Sequence, residues 1–399
     1  MSGVLLLGGD TDFNLGDRAI LRAVCGALMG ADPRLRLTVV AREDQEPPCR
    51  QAHAVVPRGP AGFRALLRAA RQNALIGIAG GGLFQDDDSR IKMPYWAARL
   101  ALLRSSGTPV VGHAIGAGPL RHPESRAAAR LACATMRSIS VRDRLAHMAL
   151  SLCTDRFIGV TPDPAFMLEP APIESAQLLL RDLGLLPGQP VIGVALRRWF
   201  HARGGFLPHR IRAAIGLDRG QGREAMRNLI AQVATAVRRM AVEMDAAVLL
   251  LPSYNVGHEG DDRVARELQQ ALDSAGTHTR LLRLDDPALY KAVTGTLSLM
   301  VSARMHPLIF AASMGVPIVG LAYNAKFEGL FSQLRTPPRL MHLDDFASEP
   351  QTERLVALMR AAHNAPGDLR RATAALATQA RTDVVRTLHP DNARAAGSL

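Results

Sequence analysis

The sequence predicts an α/β protein: two Rossmann-like domains facing a cleft, with a helical C-terminal tail. Three observations carry that expectation. Short apolar runs alternate with helical patterns from end to end, as in βαβ units. The alternation breaks once, at a proline-rich stretch, and restarts on a similar plan. From about Thr352 onward only helical patterns remain. At 399 residues the chain is long enough for two cores.

The elements follow in order. VLLLG (4–8) reads as the first strand, then a polar loop leads to a helix starting near Asp17. LTVVA, HAVVP, LIGIAG, PVVGHAI, SISV and FIGV are the next candidate strands. TPDPAFMLEPAP (161–172) holds four prolines in twelve residues. Proline cannot donate to a strand ladder, so this stretch is a connection and not a sheet interior. PVIGVAL (190–196), a long helix over 222–243, AVLLLP, RLLRL, LSLMVS and PIVGLA then repeat the scheme. The expected partition is a first domain over 1–168, a linker region over 169–189, a second domain over 190–345 and the tail over 346–399. Ligands of such sheets sit beyond the carboxyl ends of the strands.

Composition narrows the function. Apolar residues make up 48% and charged residues 21%, ordinary for a globular protein. No apolar run approaches the ~20 residues of a membrane span, and MSGVLLLGGD lacks the basic region of a secretory signal. A cytoplasmic location is therefore the expectation. Cys25, Cys49, Cys133 and Cys153 show no C-x-x-C spacing, so neither a zinc site nor a disulfide framework is expected. The net charge of +12 points to an anionic partner, whether nucleic acid, membrane surface or acidic substrate. Aromatics are only 4%, with none interleaved among basic residues, which argues against nucleic acid.

The candidate site residues cluster where strands end. LSLMVS runs directly into Arg304, His306 and Pro307, with a helix expected to begin at the proline. A helix N-terminus already favours an anion, and two cationic side chains strengthen that preference. GGDTDFNLGDRAIL (8–21) offers Asn14 and Asp17, either as helix caps or as groups that orient a hydroxyl. It is not a G-x-G-x-x-G fingerprint, so a dinucleotide has no support. IAGGGLFQDD (78–87) places Gly81 where the backbone meets something large, with Gln85 and Asp86 as hydroxyl partners. Arg142, in SVRDRLA, holds the mouth position of Arg304 in the first half; pairing with Asp143 is its ordinary alternative. Asp163 lies between two prolines. Arg197 opens a run to Arg212 with five arginines, two histidines and no acid. Lys326 follows PIVGLA on a short loop with Tyr323 and Asn324.

Taken in order, N-L-G-D, G-G-G-L-F-Q-D, G-A-G-P, V-R-D, T-P-D-P-A-F, S-A-R-M-H-P-L-I-F-A and G-L-A-Y-N-A-K resemble the polysaccharide pyruvyl transferase family over about residues 3–335. Two departures stand out: Met305 where the family has Leu, and His113 where relatives often have Gln. The resemblance implies a fold like that of GT-B glycosyltransferases. It also implies transfer of the pyruvate unit of phosphoenolpyruvate onto two hydroxyls of a saccharide, closing a cyclic ketal. The donor carries a carboxylate and a phosphate, which arginine forks match. His306 and Asp17 are then the candidate catalytic residues. Arg304, Arg142, Arg197, Lys326, Asn14, Gly81, Gln85, Asp86 and Asp163 are the candidate binding residues. Neither cofactor nor metal is expected. The acceptor is a saccharide of a cell-envelope glycan or its precursor. The basic run adds a lipid-pyrophosphate carrier and peripheral association with an anionic inner membrane to the expectations. Two rivals stay open: a GT-B-type glycosyltransferase or epimerase using a nucleotide-sugar, with Glu259 gripping a ribose, and a non-catalytic binder of acidic glycans. The sequence is silent on oligomeric state.

Overall fold

The computed structural model of the 399-residue chain describes residues 3–42, 49, 52–59, 62–87, 89–199, 222–254 and 260–395. Among the described residues thirteen strands form: β1 Gly3–Leu7, β2 Arg36–Ala41, β3 Ala54–Pro57, β4 Leu75–Ala79, β5 Val110–Ile115, β6 Ser138–Val141, β7 Gly159–Val160, β8 Val191–Ala195, β9 Ala247–Leu250, β10 Thr279–Leu281, β11 Leu299–Ser302, β12 Ile318–Ala322 and β13 Leu340–His342. They build two sheets in the orders β3-β2-β1-β4-β5-β6-β7 and β10-β9-β8-β11-β12-β13. Every pairing is parallel. Each sheet starts at a central strand, winds outward, and then winds the other way. The order therefore reverses between β1 and β4, and again between β8 and β11.

The twelve runs expected as strands form strands in that order; β13 was not expected. It has three residues of which only Met341 is buried, too short to leave a pattern in the sequence. Of the described residues, those up to Leu168 and from Ala375 onward make one compact unit, and Glu169 to Ala374 make the other. The stretch 169–189 carries the helix Ile173–Asp182 and belongs to the second unit. Residues 346–399 are shared: the helix Leu369–Leu388 begins in the second unit and ends in the first.

In the first unit β1, β4 and β5 are buried along their whole length, which is why they read as unbroken apolar runs. Leu5, Leu7, Ile76, Ile78, Phe84 and Ile115 belong to one core. The helix Leu15–Ala31 starts where Asn14 accepts the Gly16 and Asp17 N–H groups, two residues earlier than expected. The last turns of Leu369–Leu388 close over this core. Leu388 lies against Gly77 of β4, and Thr161 donates to Asp383 at 2.8 Å. In the second unit the helix Arg223–Met244 buries Leu229, Val233, Val237 and Met240 along one face, in one core with Val194 and Leu250.

His113, at the family's Gln position, reports on that closure. It is wholly buried on β5, with Nδ1 2.8 Å from Thr387 Oγ1. Thr387 gives its one proton to the Asp383 carbonyl at 2.7 Å, so His113 Nδ1–H is the donor. Its Nε2 has no hydrogen-bond partner among the described residues. Burial, and after it the charge of Arg386, pushes the imidazole down to about 3 against a smaller opposing pull from Asp163. A base with its folded pKa lowered stabilises fully above its unfolded pKa of ~6.5 and loses that contribution as pH falls toward the folded value. Stability is expected to fall by up to about 1.4 kcal/mol per pH unit below pH ~6 on this account alone. His113→Asn keeps an amide donor for Thr387 and cannot titrate, so denaturant titrations should show a flatter acid limb. An unchanged slope would remove His113 as its source.

Candidate functional site

Each sheet presents its candidate residues at the carboxyl ends of its strands, including the two strands between which the order reverses. Ligands of open α/β sheets bind there. In the first unit these residues form a continuous line. Asp17, third residue of its helix, turns back so that Oδ2 accepts the Asp10 N–H at 2.8 Å. Asn14, not Asp17, is the cap. The loops after β1 and β4 leave no room around the Asp17 carboxylate: a Cβ on Gly9 would lie 2.7 Å from its Cγ, and one on Gly81 2.8 Å from its Oδ1. Gly81 also has φ +80°, open to glycine at little cost.

From Gly81 the line continues across the sheet. Its carbonyl accepts the Gly116 N–H at 2.8 Å, and a Cβ on Gly116 would meet the Arg142 guanidinium at 3.1 Å. Arg142 Nη1 in turn donates to Asp163 Oδ2 at 3.0 Å. Both partners are buried. Asp143, the expected alternative partner, instead caps the helix Arg144–Ser151 through the Ala146 N–H and lies 3.7 Å from Arg142. Asp163 also accepts the Ala165 N–H, capping the short turn Pro164–Met167. Arg142 and Asp163 thus hold one another, which explains why the chain places an acid between two prolines. Asp86 Oδ2 accepts the His122 N–H at 2.9 Å, while its buried Oδ1 has no hydrogen-bond partner among the described residues. Gln85 next to it is half-buried.

The second unit gathers charge from four neighbouring strands: Asp261 after β9, Arg197 after β8, Arg304 and His306 after β11, and Tyr323 and Lys326 after β12. Arg304 caps the helix Met305–Ser313 by its backbone; its side chain makes no cap bond and no acid sits in the first turn. Pro307 is therefore the third helical residue and not the first, still within the turn whose N–H groups have no helical acceptor. The Arg304 guanidinium forks onto Asp261, with Nε 3.0 Å from Oδ2 and Nη2 2.5 Å from Oδ1. Its side chain is 18% exposed and that of Asp261 1%. Burial opposes the guanidinium charge, but the charge and hydrogen bonds of Asp261 outweigh it and hold the Arg304 pKa above its ordinary value. Among the described residues Nη1 makes no hydrogen bond, and the guanidinium lies 5.0 Å from the Tyr254 ring.

Beside it, Arg197 lies 4.1 Å above the Tyr323 ring and 5.3 Å from the Trp199 ring. Trp199 is anchored by its Nε1 on Asp344 at 3.2 Å. An aromatic face attracts a guanidinium electrostatically. Lys326 is buried at the start of the helix Lys326–Leu334, and His306 is half-buried 6.4 Å from Phe310 ring to ring. Asp261, Tyr323 and Trp199 were not among the expected site residues. Asp261 stands two residues after Glu259; Glu259 itself, and the basic run from 200 to 212, lie outside the described residues.

Among the described residues no group of three or more His, Cys, Asp or Glu side chains is arranged to hold a metal ion. No helix there is long and apolar enough to cross a membrane. No curated protein matches the chain by sequence. Solved structures match in fold. A UDP-GlcNAc 2-epimerase from Neisseria meningitidis, bound to UDP-GlcNAc, is 11% identical with a TM-score of 0.56, covering 97% of this chain and 99% of that one. A structure described as a UDP-N-acetylglucosamine 2-epimerase from Listeria monocytogenes is 13% identical with a TM-score of 0.61, covering 99% and 96%. The E. coli ADP-heptose LPS heptosyltransferase II is 14% identical with a TM-score of 0.50, covering 90% and 99%. The fold is thus that of the GT-B-like sugar enzymes. The polysaccharide pyruvyl transferase model matches residues 14–325, from the Asn14 cap to the loop after β12, and the chain belongs to the polysaccharide pyruvyl transferase family.

Proposed function

We propose that this protein moves the pyruvate unit of phosphoenolpyruvate onto two hydroxyls of a saccharide, releasing phosphate and closing a cyclic ketal. The observation that supports it most directly is the second-unit strand mouth. There Arg304 is aimed by Asp261, Arg197 is stacked on Tyr323, and an uncapped helix start lies alongside. A donor with both carboxylate and phosphate suits two oriented guanidiniums and a helix N-terminus. In this reading His306 protonates the methylene carbon, C2 becomes oxocarbenium-like, and a sugar hydroxyl adds to it. The second hydroxyl then displaces phosphate. Asp17 orients or deprotonates the acceptor hydroxyl, helped by Asp86. Arg142, held by Asp163, shapes the first-unit edge and has no direct donor contact. The acceptor is a cell-envelope saccharide, free or carried on a lipid pyrophosphate.

Ligand-induced thermal stabilisation tests the donor. Phosphoenolpyruvate at 100 times its Kd should add about 2.7 kcal/mol of apparent stability. The shift should be lost in Arg197→Ala and in Arg304→Ala; the former keeps Asp261 paired, so it reads binding without unbalancing a buried acid. A shift with UDP, GDP or a UDP-sugar and none with phosphoenolpyruvate would move the chain to nucleotide-sugar chemistry. Binding without turnover on any saccharide pool would leave a glycan binder.

A further inference from the structure

The first unit carries an exposed feature in the stretch between Arg142 and Asp163. β7 is a two-residue edge strand, and the loop leading to it raises Leu152 and Phe157 almost wholly into water, 81% and 90% exposed, with Met148 at 63%. Leu131 and Val160 are exposed as well. Scattered surface leucines need no explanation, but a phenylalanine and a leucine held out together by a braced loop do.

The bracing is specific. The Cys153 and Thr154 N–H groups both donate to the Leu150 carbonyl, at 2.8 and 3.2 Å, closing the end of the helix Arg144–Ser151. Arg130 Nε donates to the Cys153 carbonyl at 3.1 Å; Arg156 donates to the Cys133 carbonyl at 3.1 Å and to the Arg137 carbonyl at 2.9 Å. The loop is therefore tied to the end of the helix Pro123–Thr135. The same ties set a basic rim around the apolar tips: Arg126, Arg130, Arg144 and Arg156 are all exposed. Between residues 121 and 160 there are seven arginines against three acids. Of these, Arg142 is buried on Asp163, Glu124 is paired with Arg90 and Asp143 is buried, leaving six arginines against Asp155.

We infer that this edge of the first unit is a docking surface for an anionic lipid bilayer. Apolar tips inside an arginine rim fit a surface that offers acyl chains beneath phosphate headgroups. A second copy of the chain fits badly, because a two-fold contact would set the arginine rim against itself. A two-residue edge strand is too short for a partner to add a strand. The inference is independent of the donor chemistry proposed above.

Co-sedimentation of the full chain with vesicles tests it. Binding is expected to vesicles of phosphatidylcholine and phosphatidylglycerol in equal parts, weaker at high salt and weak to phosphatidylcholine alone. Arg126→Gln with Arg144→Gln, neither of which braces the loop, should lower affinity about thirtyfold at low salt. Leu152→Ser with Phe157→Ser should lower it about tenfold, with thermal stability unchanged because both side chains already lie in water. Equal binding to neutral vesicles, or unaltered binding by either double variant, would overturn the assignment. So would self-association that Leu152→Ser with Phe157→Ser abolishes in the absence of lipid, which would give the face to a second copy.

Discussion

Asp261→Asn is expected to be the most damaging single change at the second-unit strand mouth, in stability and turnover together. Asp261 is almost wholly buried, takes both Nε and Nη2 of Arg304, and also accepts the Ser253 N–H at 3.3 Å. Breaking a buried pair from one side leaves the other charge without a partner, at about 3–5 kcal/mol. Arg304 keeps partial contact with water, which puts the expectation near the lower figure. For a unit of this size about 3 kcal/mol is a fall of about 6–12 °C in Tm. With its fork no longer aimed, Arg304 should also lose most of its hold on the donor, about 10²–10³ in kcat/KM. Two companions separate these effects. Asp261→Asn combined with Arg304→Gln removes both charges and should recover much of the stability without the activity. Arg304→Lys keeps the charge but loses the fork, so its KM for phosphoenolpyruvate should rise most. Wild-type Tm and kcat/KM in Asp261→Asn would show that the pair neither stabilises nor aims anything.

Gly9→Ala and Gly81→Ala are expected to abolish activity through Asp17, a residue they do not replace. At either position an added methyl occupies the place of the Asp17 carboxylate, and Asp17 has no flexible stem with which to retreat. Its Cα is fixed in the first turn of a capped helix, and its Oδ2 is held by the Asp10 N–H. Loss comparable to Asp17→Asn, about 10²–10⁴ in kcat for a positioned acid–base group, is the expected result. Gly81→Ala should cost a further 1–2 kcal/mol or so for its left-handed backbone. Gly276→Ala is the control: φ is +74°, and nothing lies within 4 Å of the added carbon. It should lose similar stability and keep full activity. Full activity in Gly9→Ala would mean that the position of the Asp17 carboxylate is immaterial.

The strand mouths were legible because their signals are local. A buried parallel strand is a continuous apolar run, and the helix after it starts within a few residues, so Arg304, Arg197, Asp17 and Gly81 could be placed at carboxyl edges from neighbours in the chain. Their partners could not. Arg142 meets Asp163 across 21 residues, Arg304 meets Asp261 across 43 and His113 meets Thr387 across 274. Asp163 showed only as an acid between two prolines, and Asp261 was not singled out at all. The reversal of strand order that gathers Asp261, Arg197, Arg304 and Tyr323 has no local trace either, since each strand reads the same wherever it sits in the sheet.

By itself, then, the sequence determined the doubly parallel α/β plan, the run of strands from β1 to β12, and the cationic character of the second-unit mouth. These depend on periodicity and on neighbours a few positions apart, which a linear chain displays directly. Only the tertiary structure decided which partner each charged or titratable group has: Arg142 on Asp163, Arg304 on Asp261, Arg197 over the Tyr323 ring, and His113 on Thr387 of the C-terminal helix. A charge acquires its role from what stands within a few ångströms of it and from how much water remains, and folding sets both.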